Sequence, residues 1–187
     1  MMPLGDERLL ELWRGKRALA LPYFDGREVE LFFEDEDELL LFADSIRRFL
    51  ELGPADRAGA TPHVHAYFRD VTAQAGFDWV EEGMENLRPG SEDIWRFVYP
   101  TTLGAHESWD VGTRDRTRQF VVLEGNCGWE PEHGILFSWR DGAELVKVSG
   151  YDGHATHGHA YDDPSKDNYI YFSPEPEMCT RRSDVTE

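Results

Sequence analysis

The sequence predicts an α+β fold: an antiparallel β-sheet meander with two or three helices, mostly N-terminal, packed on it. Three observations predict it. Apolar residues recur at helical spacing in two segments that end before Phe77. Beyond Gly90 the chain becomes a series of short runs rich in β-branched and aromatic residues, separated by Gly, Asp and Pro. Asp25-Gly26 and Asp141-Gly142 stand between apolar runs as hairpin turn signals.

Taken in order, Asp6 to Gly15 reads as a short helix ending at the glycine. Arg17 to Glu34 reads as a hairpin turning at Asp25-Gly26, with Pro22 weakening its first strand. The next helix starts at Asp35, with Glu38 completing a capping-box pattern. Leu39, Phe42, Ala43, Ile46 and Phe49 form its apolar stripe, and Gly53-Pro54 stops it. A further helix is expected from Thr61 as cap and Pro62 in the first turn, through Val64, Tyr67, Phe68 and Val71, to Gly76. His63 and His65 at its start point to different sides and read as surface residues. The strand-like runs are EDIWRFVYPTTL, HESWDVGT, RTRQFVVLEG, EHGILFSWR, AELVKVSG and NYIYFSP.

The 187 residues suit a single domain, expected over residues 1–175, with a frayed polar tail over 176–187. The 37 acids against 19 bases give a net charge of −18. That balance supplies no basic footprint for nucleic acid and disfavours anionic membrane surfaces. It suits solubility, or steering towards a basic protein partner. The start carries acids where a signal peptide needs bases, and no run of about 18 apolar residues is present. A cytoplasmic location follows as the expectation. Cys127 and Cys179 form no CxxC pattern, and Cys127 has no lysine or arginine in its segment to activate it.

The Asp141-Gly142 turn locates a candidate site. A two-residue turn would set Phe137 opposite Val146, Ile135 opposite Val148 and Leu136 opposite Lys147. His133 would then lie opposite Gly150. This register brings two polar clusters to one end of the sheet. One holds Cys127, Glu130, Glu132 and His133; the other holds Asp152, His154, His157, His159, Asp162 and Asp163. Trp129 beside Pro131 reads as a packing anchor over that end.

Three chemistries compete for the clusters. Imidazoles and carboxylates suit zinc, nickel or iron, with His133, His154, His157 and His159 as a ligand set. Histidines beside carboxylates also titrate near neutrality and suit acid–base work. The third reading is structural: loop histidines hydrogen-bonded or ion-paired to hold the sheet end, for example His133 with Asp152. No G-x-S-x-G, P-loop or dinucleotide fingerprint is present.

Two motifs carry a resemblance. Trp129, Glu130, Glu132, His133 and Gly134 fit W-E-x-E-H-G, and Asp152, Gly153, His154 and Thr156 fit D-G-H-x-T. The chain thereby resembles a family of uncharacterised bacterial proteins known as a domain of unknown function. HVHAYFRDV and EDIWRFVYP are also similar to that family. The resemblance implies a group and no reaction. It shifts interest from His157 and His159, which lie off the pattern, to the candidate site Trp129, Glu130, Glu132, His133, Asp152 and His154. The leading expectation is a binding protein of immunity-type or regulatory role, with an acidic surface, a basic partner and no cofactor. The alternative is a metal-dependent, hydrolase-like enzyme using zinc or another divalent metal at the His133/His154 end.

Overall fold

The computed structural model describes residues 4–110, 117–167, 170–171 and 179–185. Seven strands lie side by side in chain order. They are β1 (Leu19–Leu21), β2 (Arg27–Leu31), β3 (Val98–Trp109), β4 (Thr117–Cys127), β5 (Glu130–Arg140), β6 (Glu144–Ser149) and β7 (Ile170–Tyr171). The long central strands β3 to β6 form the expected antiparallel meander. The joins β2–β3 and β6–β7 are parallel instead. Both follow an excursion of the chain through helices, which returns it in the same direction.

Among the described residues five α-helices accompany the sheet: α1 (Asp6–Arg14), α2 (Glu36–Leu41), α3 (Ala43–Glu51), α4 (Pro54–Ala75) and α5 (His157–Tyr161). The expected Asp35 cap is formed, its carboxylate accepting the Glu38 N–H at 2.9 Å. Phe42 breaks that helix into α2 and α3. The following helix starts earlier than expected, at Pro54, with the Asp56 carboxylate accepting the Gly53 N–H at 2.8 Å. Gly53-Pro54 therefore ends one helix and opens the next. Pro62 lies inside α4, and its missing N–H leaves the Ala58 carbonyl without its helical donor.

Helix α4 is enclosed round most of its girth, so His65 is buried, not on the surface; its Nε2 lies 2.9 Å from the Ser91 carbonyl. Trp95 donates its indole N–H to Thr61 Oγ1 at 2.9 Å. The tail is docked at Thr180, whose N–H and hydroxyl both donate to the Asp70 carboxylate, at 2.8 and 2.6 Å. Between α4 and β3, Glu92–Phe97 forms a 3-10 helix, not a strand. The runs on either side of Leu103 merge into the single strand β3. Parts of HESWDVGT and NYIYFSP lie outside the described residues.

The helical face of the sheet carries the main core. Trp139 stacks on Phe137 at 5.6 Å and meets Phe49 of α3 at 4.5 Å. Trp95 stacks on Phe137 at 5.7 Å, and Arg57 lies over Trp95 at 5.6 Å. A smaller cluster of Phe120, Val122, Leu136, Val146 and Ala155 covers the other face.

The β5–β6 register differs from the expectation. Trp139 pairs with Leu145 and Arg140 with Glu144, so the loop has three residues. A bulge then skips Val146, and Ser138 pairs with Lys147 and Phe137 with Val148. Val146 is thereby turned to the second face beside Leu136, away from Phe137.

The hairpin tip is fitted against α3. Gly142 has φ +73°, and an added Cβ would sit 1.9 Å from the Ser45 carbonyl oxygen. Gly142→Ala should therefore lower unfolding stability by about 2–3 kcal/mol in urea titration, through steric displacement as well as backbone strain.

Candidate functional site

The W-E-x-E-H-G segment is built as a turn and a wide bulge. Cys127 pairs with Glu130 across the tight turn Gly128-Trp129. The Gly128 N–H donates to the Phe97 carbonyl at 2.9 Å, and its own carbonyl accepts from Glu81 at 2.6 Å. Trp129 is fully buried, with Tyr67 and Phe68 of α4 edge-on at 5.8 and 5.9 Å. It is the expected anchor. Pro131 to Gly134 then loop out against the single residue Asn126. Gly134 has φ +60°, and an added Cβ would meet the Gly125 carbonyl oxygen at 2.2 Å.

Glu130 is buried and holds this bulge. Its carboxylate accepts the backbone N–H groups of His133 and Glu132 and lies 3.4 Å from His133 Nδ1. Tyr67 donates its hydroxyl to the Gly134 carbonyl at 2.8 Å. Burial pushes the Cys127 thiol up to about 12, which leaves it protonated and unsuited to attack.

The second motif closes over a buried amine. Lys147 points from β6 into the second face and is fully buried. Its Nζ donates to Asp152 Oδ1 and, at 2.9 Å, to the His154 carbonyl. Asp152 Oδ1 also accepts the His154 N–H at 3.0 Å, and Gly153 between them has φ +76°. The residues of D-G-H thus wrap one ammonium with a carboxylate and a carbonyl. Burial pulls the Lys147 ammonium down from its ordinary value, and Asp152 opposes that pull. The expected His133–Asp152 pair is replaced by Lys147–Asp152, because the buried Lys147 amine lies on the face that the D-G-H loop covers and takes the carboxylate.

The two clusters meet through backbone. The Tyr151 N–H donates to the His133 carbonyl at 3.0 Å, and an added Cβ on Gly150 would lie 3.2 Å from His133 Cβ. The imidazoles diverge. His133 faces Glu130, while His154 lines a cleft. His157 is fully buried, its Nδ1 3.8 Å from Asp152. His159 uses both ring nitrogens, at 2.7 Å from the Trp109 carbonyl and 3.1 Å from Thr156 Oγ1. Among the described residues these four histidines form no set whose ligand atoms lie within 4.8 Å of one another; Glu130, Glu132 and His133 do.

A cleft of about 240 Å³ opens on the second face beside His154. The strand ladder builds its floor. Thr102 pairs with Glu124, and Gly104 with Val122. Leu136 pairs with Glu124 from the other side. Gly104 has no side chain, which deepens the floor there. Phe32 and Tyr151 stand at the rim, 74% and 51% exposed. Glu34 and Glu38 add two more carboxylates. Burial raises the Glu124 carboxyl. Burial lowers the His106 imidazole, and the neighbouring His159, His154 and Lys147 add to that effect. Sequence reasoning missed this cleft. Its acids lie in two segments far apart in sequence, and the only local signal was a second phenylalanine, Phe32, where alternation needs a buried residue only once.

Two outcomes test the buried pair. Asp152→Ala should cost about 3 kcal/mol by stranding the Lys147 charge, and adding Lys147→Met should recover most of that loss in a double-mutant cycle. The buried histidines set a pH dependence. Burial holds His157 well below 6.5 and His63 at about 4, so both stay neutral in the fold while their unfolded counterparts take up protons. Their contribution is complete above about pH 6.5 and is lost as pH falls towards 4. The urea midpoint should fall between pH 7 and pH 5, with a shallower fall in His157→Gln. The raised carboxyls of Asp70, Glu124 and Asp167 act with the opposite sign, nearer their own range.

Neither the curated proteins nor the solved structures include a match to this chain. One family model does match, over residues 5–155, which takes in W-E-x-E-H-G, the Asp152-Gly153-His154 part of the second motif, Lys147 and every lining residue of the cleft. The chain belongs to the family described as a domain of unknown function, DUF6985.

Proposed function

We propose that this protein acts by binding a basic partner on its acidic surface, in an immunity-type or regulatory role, within the bacterial cytoplasm and with no cofactor. The observation that carries the reading is the cleft on the second face, where three carboxylates converge and, among the described residues, no lysine or arginine lines the walls. The net charge of −18 extends the same field over the surface and favours encounter with a cationic partner. Among the described residues no helix is long and apolar enough to cross a membrane. The conspicuous histidines have structural work in this reading. His157 and His159 pack beneath the loop, and Glu130 and Asp152 hold turns.

A second reading has one observation in its favour. Glu130, Glu132 and His133 offer three ligand atoms within 4.8 Å, a donor set that suits zinc or another divalent ion. It replaces the His133/His154 ligand set expected for a hydrolase-like enzyme, since His154 belongs to the cleft.

The binding reading is tested by titrating oligolysine and oligoarginine octamers against the protein at 50 and 300 mM salt. Both should bind at low salt and weaken roughly tenfold or more at high salt, while an acidic octamer stays unbound. Absence of binding by either basic octamer at 50 mM salt would overturn the reading. Zinc calorimetry with Glu132→Gln and His133→Ala addresses the second reading, for which loss of one equivalent of bound zinc in each variant is the expected result.

A further inference from the structure

We infer that the cleft on the second face is a pocket for a guanidinium, the side chain of an arginine presented by a protein partner. This rests on the proposed binding of a basic partner and names the chemistry of the contact.

The cleft has an apolar floor at Val122 and Leu136, and Gly104 leaves it open where any other residue would place a side chain. Its volume of about 240 Å³ accepts one long side chain and excludes a whole helix or strand. Phe32 is held by its backbone, its N–H donating to the Leu103 carbonyl at 2.9 Å, yet its ring is 74% exposed. Tyr151 is likewise held through the bond to His133. Two exposed rings, carried on backbone anchored by these bonds at the mouth of one cleft, form a ready surface for a flat apolar or cationic group.

Charge then decides between those two classes. Glu34, Glu38 and Glu124 line the cleft, and no described lysine or arginine is paired with Glu124. The partial burial of Glu124 leaves an anion whose cost of desolvation a bound cation would offset. An uncharged apolar ligand would add to that cost. Among cations, the guanidinium fits better than an ammonium. It is planar, weakly hydrated, stacks on aromatic rings and bonds carboxylates in pairs, whereas an ammonium holds its water and gains little from rings. His106 and His154 complete the lining, and burial, which lowers the His106 imidazole, favours its neutral form with an acceptor nitrogen for a remaining N–H group.

The test uses two acetylated, amidated tripeptides, Gly-Arg-Gly and Gly-Lys-Gly, titrated against isotopically labelled full-length protein at low salt. The amide shifts should cluster at Gly104, Val122, Glu124 and Gly153, and the arginine peptide should bind more tightly. Phe32→Ala and Tyr151→Ala should each weaken the arginine peptide roughly two- to five-fold and narrow its advantage over lysine. Glu124→Gln should weaken both peptides. Phe32 and Tyr151 are exposed, so these variants should unfold at the wild-type temperature, which separates lost binding from lost structure. Shifts scattered over the acidic surface, or equal binding of both peptides unaffected by the rim variants, would overturn the pocket while leaving binding of basic octamers intact. If the octamers also fail to bind, the broader reading fails with it.

Discussion

A lysine sealed inside a protein must find its oxygen partners inside as well, and the second face of this sheet is organised by that demand. Lys147 is fully buried, so its ammonium has exchanged bulk water for Asp152 and the His154 carbonyl. To deliver both, the chain leaving β6 must turn back over its own strand. The left-handed Gly153 and the Asp152 bond to the His154 N–H make that turn. Once turned, the loop lays Ala155 on Phe120, Val122 and Leu136 and sets Thr156 to cap α5. The cover of one face and the entry to the last helix both follow from how one amine is satisfied.

The same demand fixes what the histidines do. His157 and His159 enter the cover because α5 starts where the loop ends, and burial keeps both rings inclined to the neutral form. His154 contributes its backbone to the lysine and leaves its side chain to the cleft. A stretch whose composition suggests metal ligation therefore divides into packing, capping and lining. On the opposite side, Trp129 and Glu130 have the equivalent task of closing the β4–β5 end against α4. The region open to a ligand lies between these two closures, over strands short of side chains at Gly104.

Much of the architecture was legible because it is written in local signals. The Asp35 cap, the apolar stripe through Ile46 and Phe49, and the switch to strand texture after Gly90 each correspond to an observed element. Trp129 was readable as an anchor from its place between turn residues. The errors arose where one signal serves two states. Gly53-Pro54 marks a helix end or a helix start with equal force, and Thr61-Pro62 imitates a start inside α4. The Val146 bulge was invisible because Val146 and Val148 are interchangeable in an alternating pattern, yet skipping Val146 moves it from the face of Phe137 to that of Leu136. The cleft was beyond reach because Phe32, Glu124 and Tyr151 become neighbours only through pairings remote in sequence. Of the candidate site residues, Trp129, Glu130 and Asp152 have defined structural partners, and His154 alone borders the cleft.

The strands lie across the sheet in the order in which the chain is made. Growth on the ribosome therefore needs no threading. Each newly emerged strand from β3 onwards docks on an edge its predecessor has just supplied, and most pairings are between near neighbours in sequence. The exception in timing is Lys147, which emerges ahead of Asp152. Until the next few residues clear the exit tunnel, the nascent sheet carries a charge on a face meant to be dry.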